Sequence, residues 1–244
     1  MDEATERYLE RLVARLRASF EDELVGVYLH GSAALGGYVS ARSDLDVLAV
    51  IDRRTTAAEQ RDLGATLLQL PCPAAGGLEF SLVTRASVQT PQPAPSFEVH
   101  VNGGERRIVH GTAYGGDQDL VLHFEICRRE GRTLHGEEAS TLFASESPPA
   151  LLAKCVQELR WIEEHFTEPP LESSVLQACR ALRFREDGQL CSKVAGGEWA
   201  VSRGIGGDLV RRAVLAKQGL PTDPLDPSAV LAFVRAARNA LAMR

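Results

Sequence analysis

The sequence predicts an α+β chain in two parts. A strand-and-helix domain spans residues 1–147, and an all-helical domain spans 148–244. Three observations carry this. In the first part, short runs rich in branched residues alternate with segments of helical spacing. After "FASESPPA" only helical patterns follow, which puts the boundary near 145–150. The proline pairs Pro148-Pro149 and Pro169-Pro170 separate some of these patterns.

Taken in order, residues 3–20 place Leu9, Leu12, Val13 and Leu16 on one helical face. "LVGVYLH" (24–30) reads as a strand, and "GSAALGG" as a turn and short helix. "DVLAVID" (46–52) is continuously apolar, the mark of a strand buried on both faces. Residues 55–70 are helical, with Thr55 or Thr56 as N-cap. "GLEFSLVT" (77–84) is a third strand, and "TPQPAPS" a proline-rich connection. "FEVHVN" (97–102) alternates strictly, with "RRIVHG" as its possible partner. Residues 117–131 form a helix ending at Gly131. The second part reads as helices in "LLAKCVQELRWIEEHF", "SSVLQACRALRFRED", around "SKVAGGEWAV", in "GGDLVRRAVLAKQ" and in "PSAVLAFVRAARNALAM".

A chain of 244 residues can bury a core without disulfides or structural metal. The net charge of −6 argues against a nucleic-acid binder and favours a cationic small molecule. Five widely spaced cysteines without a CxxC read as free thiols in a reducing compartment. No apolar run approaches membrane-spanning length, and the acidic start lacks the features of a signal peptide, so the expected location is cytoplasmic, with no membrane partner. The histidines show no metal-ligand spacing. GxxxxGK[ST] and GxGxxG are both missing.

The informative stretch is "LHGSAALGGYVSARSDLDVLAV" (29–50). Asp44 and Asp46 stand two apart at the start of a strand, so both side chains project to one face. Alone, such a pair is usually a solvated strand end. A divalent cation would relieve their repulsion, and magnesium suits two carboxylates plus substrate phosphates. Ahead of them, Gly31 lets a backbone approach a ligand, and the turn's N–H groups with the Ser32 hydroxyl can hold phosphate oxygens. A phosphate turn beside a metal pair is the layout of a nucleotide-dependent transferase.

The G-S-x11-D-x-D pattern resembles the nucleotidyltransferase superfamily related to DNA polymerase β. The wider sequence resembles the streptomycin/spectinomycin adenylyltransferases of bacterial resistance. The likeness runs through "GLEFSLV", "DQDLVLHFEICRREGRTLHGEEASTLF" and "VLQACRALRFREDGQLCSKVAGGEWA". It implies a polymerase β-like domain with a mixed sheet, followed by a helical bundle contributing to the substrate and ATP cleft. It further implies that Asp44 and Asp46 bind Mg2+, that Gly31 and Ser32 hold the triphosphate of ATP, and that Glu79 is the catalytic base. Glu79 also qualifies on its own pattern. It points away from Leu78 and Phe80, and carboxylate neighbours would raise its pKa as a general base needs. Glu98 is the second candidate, on a strand with His100 on the same face. Arg42 and Ser43 can assist the phosphates or can be ordinary loop residues. Arg180 and Lys193 match basic positions of the family, with Lys193 otherwise an ordinary surface lysine; Trp199 matches a family tryptophan and reads as core.

The reaction implied is Mg-dependent transfer of AMP from ATP to a hydroxyl of an aminoglycoside or aminocyclitol, releasing pyrophosphate. Family members that accept streptomycin carry a tryptophan and an aspartate near the start of the second helix of the helical domain. Here that region is "HFTEPPLESS", which favours a spectinomycin-like acceptor over streptomycin. The alternatives are a nucleotidyltransferase acting on a protein or another hydroxyl compound, and a non-catalytic nucleotide-binding module.

Overall fold

A computed structural model describes residues 1–111 and 115–242. The chain divides into two compact units, Met1–Glu146 and Ser147–Arg244.

The first unit is built on a mixed sheet. Its strands are β1 (Leu24–Leu29), β2 (Leu45–Ile51), β3 (Leu78–Thr84), β4 (Val99–Asn102), β5 (Arg107–His110) and β6 (Arg132–Gly136). They lie in the order β5-β4-β3-β2-β1-β6. The β2–β3 pair is parallel and the other neighbouring pairs are antiparallel. The parallel pair is joined by the crossover helix α3 (Ala57–Gln69), as such a pair requires. Thr56 caps α3 in a reciprocal capping box with Glu59.

Each face of the sheet has its own core. One is filled by Leu9, Leu12 and Leu16 of α1 (Glu3–Phe20) and Leu63 and Leu67 of α3, packed on Leu45, Val47, Phe80 and Val101. The other is covered by α5 (Leu120–Glu130), whose Leu120, Phe124 and Cys127 meet Tyr28, Leu48 and Val83. Among its described residues the unit also has three short α-helices, α2 (Gly31–Ala34), α4 (Arg85–Gln89) and α6 (Ala139–Leu142), and a 3-10 turn at Glu21–Glu23. At the end of the unit, the buried Glu125 accepts the Glu146 N–H at 3.1 Å and pairs with Arg128 and Arg129.

The second unit has α7 (Pro148–Glu164), α8 (Leu171–Asp187), α9 (Lys193–Ser202), α10 (Gly207–Gln218) and α11 (Pro227–Ala242). Helix α8 packs against each of the other four. Pro148-Pro149 open α7, where a missing N–H costs nothing. The predicted last helix ran to Met243, which lies outside the described residues.

The structure corrects five readings. Helix α4, capped by Thr84, helix α6 and edge strand β6 had no counterpart in the sequence pattern. The strand predicted from residue 97 begins at Val99. Phe97 packs with the α5-side core and Val99 with the opposite one, so the alternation breaks at Glu98. Trp199, expected in the core, is half-buried, with the Arg203 guanidinium 5.4 Å above its ring. The five cysteines are free thiols, and none of the described helices is long and apolar enough to cross a membrane.

Candidate active site

Strands β2 and β3 are buried along almost their whole length. The break at the second position of each is a carboxylate, Asp46 in β2 and Glu79 in β3. The parallel register sets these two side by side, Asp46 opposite Glu79. Asp44, two residues before Asp46, joins them. One carboxylate oxygen from each of Asp44, Asp46 and Glu79 lies within 4.8 Å of the others. Neither Asp44 nor Glu79 accepts a hydrogen bond from the described residues, so these oxygens remain available. Three oxygen donors of like charge at this spacing fit a hard divalent cation such as magnesium.

The loop before Asp44 is held from below. Ala75 N–H donates to Ser40 C=O at 2.7 Å, Gly76 N–H to Ser43 C=O at 3.0 Å, and Leu45 N–H to Gly77 C=O at 2.9 Å. Ser43 closes the loop, its hydroxyl oxygen accepting the Val39 N–H at 3.0 Å. Arg42 is exposed, and its guanidinium has no hydrogen-bond or ion-pair partner among the described residues.

The glycine-serine turn is bound to this cluster through the backbone. His30 N–H donates to Asp46 C=O at 3.0 Å, which carries the β1–β2 ladder up to the turn. Gly31 then takes φ +57°, and the Asp46 carboxylate fills the volume that a Cβ would need. Only glycine satisfies both conditions. The open first turn of α2 presents the N–H groups of Gly31, Ser32 and Ala33. The buried Ser32 Oγ has no hydrogen-bond partner among the described residues. The His30 ring is buried against His123, centroids 4.9 Å apart, and burial holds it neutral.

Burial, and then the charges of Asp46, Asp44, Asp119 and Asp117, push the Glu79 carboxyl up to about 8. Asp117 and Asp119, in the loop entering α5, were given no role by the sequence reading. The "DQD" triplet carrying them was its visible signal. His100 sits opposite Ser81 with Nδ1 and Oγ 3.1 Å apart, on the strand beside Glu79. Glu98 is engaged elsewhere: one of its oxygens accepts both the N–H (2.7 Å) and the hydroxyl (2.8 Å) of Thr55. It stands outside the three-carboxylate cluster.

In the second unit, α8 carries Arg180 and α9 begins at Lys193, behind the Ser192 cap. Gly196 of α9 lies directly against the Arg180 backbone, so these helices meet closely at Arg180.

Searches of protein-family models and of curated protein sequences give no match. Among solved structures, the chain is similar to a spectinomycin adenyltransferase, AAD(9), from Enterococcus faecialis, determined with ATP and spectinomycin. The TM-score is 0.79 at 16% identity, over 98% of this chain and all of that one. The chain therefore shares that structure's fold, a mixed sheet with flanking helices followed by a helical region.

Proposed function

We propose that this protein is an adenylyltransferase of the streptomycin/spectinomycin type, transferring AMP from ATP to a hydroxyl of a cationic aminocyclitol. The carrying observation is the cluster of Asp44, Asp46 and Glu79, locked by strand register beside the Gly31-Ser32 turn. The likeness to a spectinomycin adenyltransferase supports the same reading. In it, the N–H groups of the turn and the Ser32 hydroxyl hold phosphate oxygens, and Arg42 adds an unpaired positive charge, with Ser43 shaping the loop. Arg180 and Lys193 supply further positive charge to the triphosphate. Asp44 and Asp46 would hold magnesium, which would supply neutralisation of the phosphate charge and favour the ionised form of Glu79. Glu79 takes the proton from the acceptor hydroxyl as that oxygen bonds to the α-phosphorus; the bond to the bridging oxygen breaks and pyrophosphate leaves. The carboxylates of Asp117 and Asp119 extend the negative field around Glu79, which suits a protonated amine on the acceptor. The streptomycin-type tryptophan and aspartate are missing from "HFTEPPLESS", so a spectinomycin-like acceptor fits best.

The test is to incubate the protein with ATP, magnesium and a panel of aminocyclitols and aminoglycosides. Expected are pyrophosphate release and an acceptor heavier by one adenylyl group. No release above an acceptor-free control across the panel would overturn the antibiotic reading. Labelled AMP appearing on protein in lysate would replace it with a protein-modifying one.

A further inference from the structure

Arg180 is a half-buried arginine that no carboxylate pairs. Its Nη1 donates to the Gln177 side-chain oxygen at 3.0 Å, one helical turn away on α8. The other end of that amide, Nε2, donates to the Glu158 carboxylate on α7. A carboxylate only accepts and a guanidinium only donates, so the Gln177 amide can sit in one orientation. Flipping it would set acceptor against acceptor and donor against donor. On the other side, a Cβ at Gly196 would lie 2.9 Å from Arg180 Cγ and 3.1 Å from its backbone nitrogen, so α9 grips the stem of the side chain. The remaining guanidinium donors of Arg180 make no hydrogen bond to the described residues.

We propose that Gln177 is a positioning residue. Braced by Glu158, it aims the Arg180 guanidinium at a phosphate of ATP while leaving its charge unneutralised. A glutamate at 177 would cancel the arginine's charge and face the Glu158 carboxylate with no donor between them; the neutral amide transmits the tether from Glu158 without the charge. The inference rests on the reading of Arg180 as a phosphate ligand, and it adds why "SSVLQACR" places a glutamine one turn before that arginine and "VAGGEW" a glycine against it.

The test measures equilibrium binding of ATP with magnesium to the full chain, with thermal unfolding of each variant as a check on folding. Gln177→Met, similar in size and unable to accept the bond, should weaken ATP about ten-fold, the order of one lost hydrogen bond to a charged group. Gln177→Glu should weaken it at least as much and should also lower the melting temperature, because its carboxylate then faces that of Glu158. Glu158→Gln, which still accepts from the amide, should bind nearly as wild type, whereas Glu158→Ala should not. In an Arg180→Ala background, Gln177→Met should add nothing. If Arg180→Ala weakens ATP while Gln177→Met does not, or if the Gln177→Met loss persists without Arg180, the positioning role is overturned. If Arg180→Ala leaves ATP binding unchanged, the phosphate reading of Arg180 fails first. Should Gln177→Met not fold, the Glu158→Ala and Glu158→Gln pair decides from α7.

Discussion

Glu79→Gln removes an ionisable group from the carboxylate cluster while keeping the side chain's shape, so it separates chemistry from stability. In the folded chain, burial first and then the neighbouring carboxylates raise Glu79 from an ordinary 4.5 to about 8. The sign follows from linkage. Below pH 4.5 the folded and unfolded chains both hold the proton and Glu79 costs nothing. Between 4.5 and 8 the unfolded chain releases it more readily, so stability falls as pH rises and levels off above 8. At about 1.4 kcal/mol per pKa step the upper bound is ~5 kcal/mol, and partial exposure with solvent screening brings it to ~2–3 kcal/mol. Urea unfolding at pH 5 and pH 8.5, without divalent cation, measures this. Wild type should lose that much relative to Glu79→Gln as pH rises, and magnesium should return more stability to wild type than to the variant. AMP transfer should collapse in the variant while ATP binding survives. Parallel pH dependence of the two proteins would refute the raised pKa, and undiminished turnover would refute Glu79 as the base.

Three further outcomes follow from the same geometry. Asp46→Asn should lower turnover by at least about a hundred-fold and abolish magnesium-induced stabilisation in a thermal shift, since a ligand and a neighbouring charge are lost together. Gly31→Ala should cost at least ~1 kcal/mol from φ +57° alone, and by displacing the Asp46 carboxylate should weaken magnesium binding measured by calorimetry. Glu98→Ala should destabilise the fold by ~1–3 kcal/mol, because the buried Thr55 N–H and hydroxyl lose their acceptor, with turnover of the folded fraction kept; loss of turnover at full folding would restore Glu98 as a base.

The candidate site was legible because its parts are local. Gly31-Ser32 and Asp44-x-Asp46 fall within one strand–turn–strand stretch, and the apolar runs around Asp46 and Glu79 mark both as exceptions in buried strands. What was hidden depends on pairing. No pattern in the sequence states that β2 and β3 are parallel neighbours with Asp46 opposite Glu79, or that Gly31 is required by the Asp46 carboxylate as well as by its φ. Strand β6, "RTLHG", lacks an apolar run because it is an edge strand with a half-exposed surface. Glu98 misled because strict alternation in the sequence is broken by a local shift of the backbone, which turns its side chain to the start of α3.

The pairing of β1 with β6 has a consequence for biosynthesis. Gly26 finds its partner at Gly136, more than a hundred residues later, while the other side of β1 is joined by β2 within the next two dozen. As the chain leaves the ribosome, β1 therefore waits with one row of N–H and C=O groups unpaired until residues 132–136 emerge. During that interval the nascent sheet offers a ready edge to other strands, and a chaperone that covers short apolar strands would find its target at "LVGVYL".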